Sequence, residues 1–461
     1  MRRAFEKLQL VNAPLAPEFL PGLRAGAYPP LHLAALATHL RHNLPELTIE
    51  ILDGEILCLD ELMTSLDGDI VGISCNSLTY STALDLALVA KGSGAFVVLG
   101  GAHPTFVGRE ILGRRPFVDA VVCGDGEEAL LGLVQGFKLS RIPNLLFRNG
   151  KSITENPRCV VSLSTLQAPE YNGIQLDRYF KKYRTLYPNK PFKRPFIMYS
   201  AKGCAWRSLP GGGCVFCAIQ HEGMHQKSPT RFWEEIQLLE QSRQADFVWD
   251  VADTFTMQRE WIRECVRLKP RGTKIALQVY ARSTDVDEEM ATLLRALDVF
   301  EVFIGIESGS QEILDRAGKG TSLQCNLRAV HLLEMEGIRV ILSVVLGLPG
   351  ESPSTIAETM DHLAGIMSCD NVKEVNCSIL LPLPGSRAMQ LLGPQLSHNG
   401  NGDIVDAESL RAQWVERFCN TTYASLVQAQ GAVLERYGTI GTFGCTTGEY
   451  LRHGTGGADK W

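Results

Sequence analysis

No apolar run in the 461-residue chain approaches the roughly 20 residues that a membrane span needs. The start, MRRAFEKLQLVNAPLAPEF, has two arginines but no apolar core or small-residue cleavage site. No signal peptide is therefore expected, and the expected location is cytoplasmic. A basic excess is missing too: 45 Lys and Arg stand against 51 Asp and Glu, a formal net charge of −6. That argues against nucleic acid as a partner. A disulfide framework is also absent. The 13 cysteines are odd in number and irregular in spacing, so most are expected to be idle or buried thiols, such as Cys58 and Cys377. What remains is ordinary globular composition, with 45% hydrophobic and 21% charged residues, and length for two or three domains.

Two alternating series organise the chain. Residues 7–11, 47–53, 69–75, 95–101 and 118–124 read as five strands, with helical patterns such as PLHLAALATHLR between them. Strands alternating with helices predict a doubly wound, flavodoxin-like α/β domain over 1–150. An Asn-Gly pair in LFRNGKS predicts a small antiparallel hairpin beside it. Residues 151–195, rich in Pro, Tyr, Arg and Lys, read as a linker. A second series begins near 196 and gives six β/α units without clear internal repeats, a partial (β/α)6 barrel over 196–385. In such folds the chemistry sits at the carboxyl ends of the strands. The small remainder, 386–461, reads as mostly helical, with one helix within 405–436 and a tail that could act as a lid.

The cysteine loop, KGCAWRSLPGGGCVFC, follows the first barrel strand. Cys204, Cys214 and Cys217 are spaced by nine residues and then two. Spacing alone leaves several readings open. A structural zinc would take a fourth ligand from His221 or His225. A redox pair would use Cys214 and Cys217. A four-iron cluster would keep one iron free for a substrate or cofactor. Three unrelated thiols in a glycine-rich loop are the bland alternative.

Context favours the cluster. The loop and the later strand ends WDVADTF, YARST and GIESGS share one rim, and the set resembles the radical SAM superfamily over about 196–385. There, three cysteines hold a 4Fe-4S cluster whose fourth iron binds S-adenosylmethionine (SAM). Phe216, before the last cysteine, fits the family pattern. The usual first spacing is three residues; the extra SLPGGG is read as flexible enough to loop out. The resemblance implies that Asp250 and Asp253 bind the methionyl amine and that Arg282 meets the carboxylate. It places Glu307 and Ser308 at the ribose and Gly347 near the adenine.

The first domain resembles the cobalamin-binding domain that precedes the barrel in one large subgroup. AYPPLHLAAL, VVLGGAHPT and VVCGDGEEAL carry that likeness. Strand-end glycines let backbone come close to a bulky ligand. The resemblance implies a cobalamin pocket from Asp53, Gly54, Ser74, Asn76, Ser77, Gly100, Gly101, His103, Gly124 and Glu127. The Asp-x-His-x-x-Gly motif that supplies an axial histidine is absent after the first strand. The nucleotide tail is therefore expected to be displaced, with no histidine from that motif on cobalt.

The resemblance implies a radical SAM C-methyltransferase. One SAM would methylate cobalamin; a second would give a 5′-deoxyadenosyl radical, and the substrate radical would take the methyl from methylcobalamin. A small molecule or peptide is the expected substrate, and an external donor such as flavodoxin or ferredoxin supplies electrons. The alternatives are a cobalamin-assisted radical cyclase or ring-rearranging enzyme, and a non-catalytic cobalamin or iron–sulfur sensor.

Overall fold

The structure, a computed structural model, describes residues 5–15, 26–393 and 407–437. The proposed lid tail lies outside the described residues. Strands β1 (Lys7–Asn12), β2 (Thr48–Asp53), β3 (Ile70–Ser74), β4 (Phe96–Gly100) and β5 (Ala120–Val122) run parallel in the order β2-β1-β3-β4-β5. Helices α1 (Leu31–Asn43), α2 (Leu59–Thr64), α3 (Tyr80–Gly92), α4 (Ala102–Arg114) and α5 (Glu127–Val134) alternate with them. Side chains alternate across the sheet and feed two cores. Leu8, Leu10, Ile70, Val98 and Val122 pack with Leu33, Leu40 and Leu133 of α1 and α5. Val11, Val71, Ile73, Val97 and Leu99 pack with α2, α3 and α4 on the other face. This is the doubly wound arrangement expected from the alternation. The hairpin β6 (Leu145–Asn149) and β7 (Ser152–Glu155) extends the sheet antiparallel beyond β5, turning through Gly150 at φ 63°.

The stretch read as a linker holds a helix, α6 (Leu176–Leu186). Its buried stripe is Tyr179, Phe180 and Tyr183 amid Lys and Arg, an aromatic seam that an aliphatic pattern search passes over.

Six parallel strands then form an open barrel. In chain order come β8 (Pro195–Met198), the two-residue strand β9 (Ala201–Lys202), α7 (Ala205–Ser208), β10 (His225–Gln226) and α8 (Pro229–Arg243). Next are β11 (Phe247–Asp250), α9 (Arg259–Leu268), β12 (Ala276–Ala281), α10 (Glu288–Ala296) and β13 (Val299–Glu307). Last are α11 (Gln311–Arg316), α12 (Leu323–Met335), β14 (Arg339–Leu346), α13 (Pro353–Ile366) and β15 (Val372–Ile379). The sheet order is β8-β11-β12-β13-β14-β15, while β9 and β10 pair separately.

The chain ends in α14 (Arg387–Leu392), α15 (Ala407–Phe418) and α16 (Tyr423–Tyr437). The expected single helix is two, because the Thr422 hydroxyl accepts from Ser425 N and starts a second one. Gln430 of α16 donates to Cys377 O, covering the edge strand β15. Among the described residues no helix is long and apolar enough to cross a membrane.

The halves are joined by packing. Ala34 of α1 shares a core with Phe180 and Phe196, and the Tyr179 hydroxyl donates to the Asp53 carboxylate.

Candidate active site

The carboxyl ends of the first sheet and of β8 and β11 in the barrel open on one cleft of about 800 Å³. Asn12, Ser74, Asn76, Gly100, Gly124 and Glu127 line its sheet side. Leu10, Leu36, Gly72, Val98 and Leu130 add an apolar patch to the lining on the α1 side. Tyr199, Lys202, Cys217, His221 and Asp253 line the barrel side.

The glycines differ in what they face. A Cβ on Gly100 would meet only Val122, at 3.9 Å, and one on Gly124 would meet nothing within 4 Å. Both leave the cleft wall flat. A Cβ on Gly101 would lie 2.5 Å from the Cys75 carbonyl oxygen, with φ at 99°, and one on Gly54 would lie 2.5 Å from Pro14 N. Those two are glycine because the chain packs against itself there. Asp53, Ser77 and His103 sit behind the rim rather than on the cleft wall. Asp53 accepts from Asn12 Nδ2 at 2.8 Å, and Ser77 Oγ is 3.0 Å from His103 Nδ1.

Sequence reading passed over the residue that joins the walls. Asp125 Oδ1 accepts from Lys202 Nζ at 2.7 Å and from His221 Nε2 at 3.0 Å, while Oδ2 accepts from Val161 N. Burial opposes its ionisation, but the His221 hydrogen bond and the Lys202 charge hold its carboxyl well below the usual range. His32 of α1 was passed over too. It lines the cleft, and its buried Nε2 has no hydrogen-bond partner among the described residues. No local signal marks either residue; only the tertiary fold brings them to the cleft.

The three cysteines occupy one loop. Cys204 is buried and precedes α7; Cys214 and Cys217 are half-buried and linked by a turn, Cys217 N donating to Cys214 O at 3.1 Å. Burial pushes the Cys217 thiol up to about 12, with the neighbouring Cys214 and Asp253 adding to it, and raises Cys214 as well. Thiolates so placed need a cation to stabilise them, which an iron–sulfur cluster supplies. A single zinc ion fits less well. His221 is turned to Asp125, and His225 Nε2 faces Glu222 O. Among the described residues the compact single-ion grouping is instead His331, Glu334 and Cys369, on α12 and beyond α13. The long first spacer is not loose. Gly212 N donates to Leu209 O, and Trp206 Nε1 donates to Gly318 O at 3.0 Å.

The other barrel residues divide by depth. Asp253 reaches the cleft, and its Oδ2 accepts from Gly203 N at 2.7 Å beside the first cysteine. Asp250 lies fully buried beneath, its Oδ1 taking Ser200 N and Ala252 N, and burial raises its carboxyl to about 6. Its Oδ2 has no hydrogen-bond partner among the described residues. Arg282 is buried and donates to Lys319 O. Glu307 accepts from Lys319 Nζ at 2.7 Å and holds a left-handed φ of 57°, a strained conformation for a non-glycine residue of the kind that gathers at functional sites. Ser308 Oγ turns to Thr359 of α13. Gly347 O accepts from Trp414 Nε1, so α15 covers it. Phe216 packs against the barrel core.

The fold and the rim define a class: a doubly wound domain facing a parallel partial barrel whose first loop carries three cysteines. Family comparison agrees. The B12 binding domain model matches residues 22–134 and the Radical SAM superfamily model matches residues 198–363. The chain thus carries a B12 binding domain followed by a Radical SAM superfamily domain, and its cofactors are a 4Fe-4S cluster, SAM and cobalamin. An uncharacterized methyltransferase of Pyrococcus horikoshii is 29% identical over 377 residues, covering 78% of this chain and 77% of that one. The anaerobic magnesium-protoporphyrin IX monomethyl ester cyclase of Rubrivivax gelatinosus is 26% identical over 400 residues, covering 81% and 68%. Among solved structures, the radical S-adenosylmethionine methyltransferase TsrM of Kitasatospora setae, with cobalamin and a 4Fe-4S cluster bound, has a TM-score of 0.68 at 20% identity. That match covers 85% of this chain and 78% of that one.

Proposed function

We propose that the protein methylates an unactivated carbon of a small-molecule or peptide substrate. The observation that carries this reading is the shared cleft: the ends of the first sheet and the β8 and β11 ends of the barrel, with Cys217 of the cysteine loop, line one space. When bound, the cluster with SAM supplies a 5′-deoxyadenosyl radical, and cobalamin supplies a transferable methyl group. Cys204, Cys214 and Cys217 would hold the cluster through three thiolates, which leaves one iron open to SAM. Asp253 on the cleft wall accepts from the methionyl ammonium, with the buried Asp250 beneath it. Arg282 presents a planar fork to the carboxylate. Glu307, fixed by Lys319, accepts from ribose hydroxyls; Ser308 and Gly347 shape the nucleoside end from behind. On the sheet side, Gly100 and Gly124 let the flat corrin approach backbone, with Ser74, Asn76 and Glu127 around its rim. The apolar lining from Leu10, Leu36, Val98 and Leu130 would hold the nucleotide tail. Asp53, Gly54, Ser77, Gly101 and His103 brace that pocket. An external one-electron donor such as flavodoxin or ferredoxin completes the system.

The test uses reconstituted protein, hydroxocobalamin, reductant and methyl-labelled SAM. Label should appear on the corrinoid, with S-adenosylhomocysteine as its co-product, and 5′-deoxyadenosine should form as well. Deoxyadenosine with no S-adenosylhomocysteine would sink methyl transfer. It would favour a radical cyclase instead, the second reading that the likeness to the Rubrivivax gelatinosus cyclase supports.

A further inference from the structure

The nine residues between Cys204 and Cys214 are folded onto the barrel at one place. Ala205–Ser208 form the turn α7, and the glycines that follow fold back over it: a Cβ on Gly212 would overlap the Trp206 carbonyl oxygen. Gly213 O would be 2.8 Å from a Cβ on Gly318, so the spacer and the 317–320 turn touch backbone to backbone. Val215 N donates to Ala317 O at 2.8 Å and fixes the far end of the spacer to the same turn. Trp206 fills the middle. Its Nε1 donates to Gly318 O, and its ring lies so close to Gly320 that a Cβ there would overlap it. Gly318 and Gly320 both have left-handed φ, 67° and 64°.

The indole also meets a cation. The Arg282 guanidinium lies 4.8 Å from the Trp206 ring centroid, and Arg282 Nη2 donates to Lys319 O. The next contact in the chain is Lys319 Nζ on Glu307 Oε1. One tryptophan in the cysteine loop therefore touches the turn and the arginine that together hold two polar groups of the barrel rim. A stacked guanidinium keeps its planar fork in one orientation, and desolvation strengthens the contact.

We infer that the long spacer is a rigid brace and that Trp206 is a positioning residue for SAM, setting the orientation of Arg282 and the 318–320 turn. This rests on the reading of the site proposed above. A loose insertion would leave the cluster loop and the SAM contacts independent; the brace couples them.

The experiment compares Trp206→Leu, Trp206→Phe and Gly320→Ala with wild type after anaerobic reconstitution. It reads iron content, the SAM dissociation constant, and the change in the electron paramagnetic resonance of the reduced cluster on adding SAM. Trp206→Leu should keep wild-type iron content and bind SAM about tenfold more weakly, with a reduced spectral change. Trp206→Phe keeps an aromatic face over Arg282 and should stay within about threefold. Gly320→Ala pushes the ring away without touching a cysteine and should match Trp206→Leu. Full iron content with wild-type SAM affinity in Trp206→Leu or Gly320→Ala overturns the brace, as does a Phe variant as weak as the Leu variant. If Trp206→Leu fails to hold the cluster, Gly320→Ala decides. Wild type that takes up the cluster and binds no SAM refutes the reading of the site itself, which separates that failure from failure of the brace.

Discussion

At Gly100 and Gly124 the sheet-side wall of the cleft is open backbone, with Asp125 and Glu127 beyond it, while Lys202, His221 and Asp253 stand on the barrel-side wall beside Cys217. The first wall offers backbone for close approach and the second offers the cysteine loop and its charged neighbours. The difference follows from what each half is built to hold. A large flat cofactor needs backbone within reach and no side chain in the way. A cluster with a zwitterionic partner needs thiolates, carboxylates and a guanidinium at fixed positions. The contrast also says what substitution does on each side: added bulk is the damaging change on the first wall, and lost chemistry on the second.

The largest effect is expected on the barrel side. Cys204→Ala, Cys214→Ala or Cys217→Ala should each remove the four-iron absorption and electron paramagnetic resonance signals and abolish reductive cleavage of SAM. Cys58→Ala and Cys377→Ala should leave both intact. A cluster-loop variant with full cleavage activity would break the comparison at its root. Zinc at one per chain, with no iron after anaerobic purification, would replace the cluster by a single-ion site.

The sheet side sharpens the comparison through two adjacent glycines. Gly100→Leu places a side chain in the cleft and should weaken hydroxocobalamin binding at least tenfold with an unchanged melting temperature, measured by titration and thermal unfolding. Gly101→Leu meets the Cys75 backbone in a left-handed conformation and should instead lower stability by about 2 kcal/mol or more. Equal cobalamin affinity in wild type and Gly100→Leu would remove the flat wall from the argument.

Gly100 and Gly101 are indistinguishable in the string GGAHPT, and this marks the limit of the sequence. The strands were legible because parallel strands covered on both faces are continuous apolar runs, as in VVLGG and VILSVVL. The cysteine loop was legible because its spacing is local. Asp125 was not: its partners Lys202 and His221 lie 77 and 96 residues away, and the eye rests on the glycines either side of it. Ser308 and Gly347 follow strands that the sequence marks, yet their contacts with Thr359 and Trp414 are long-range and leave no local trace. The spacer misled in the other direction. Three glycines in a row read as slack, whereas Gly212 lets the chain fold back onto the Trp206 backbone.

Asp125 tests the seam between the walls. Asp125→Asn keeps the shape but removes the carboxylate that Lys202 and His221 share, leaving Glu127 as the remaining negative charge near Lys202, and should lower stability at neutral pH by about 2 kcal/mol. The sign with pH is fixed by the depressed carboxyl. Its stabilisation is complete above the unfolded value near 3.8 and is lost only as pH falls through the lower folded value. Wild type and Asp125→Asn should therefore converge in stability in strong acid and diverge toward neutral pH in denaturant melts. A constant gap across pH would show that the pairing contributes nothing specific to charge.

Glu351 supplies the opposite case: a buried carboxyl with no cation beside it among the described residues. It follows β14, is fully buried, and accepts from Gly347 N at 2.8 Å. Burial raises its pKa from the ordinary 4.5 to about 7, against the lowering effect of hydrogen bonds from Gly347 N, Leu348 N and Thr355. Between those values the folded chain holds a proton that the unfolded chain has released, so stability falls as pH rises from about 4.5 to 7. Glu351→Gln keeps the acceptor toward Gly347 N and turns its amide toward the Thr355 hydroxyl, but carries no charge to desolvate. The full shift corresponds to about 3 kcal/mol, and an imperfect amide fit returns part of it. Denaturant melts should show Glu351→Gln more stable than wild type by about 1–2 kcal/mol at pH 8. Near pH 4 the advantage should vanish, where both side chains are neutral. A variant less stable than wild type at pH 8 would mean that the ionised carboxylate, not its neutral form, is what the loop after β14 is built to hold.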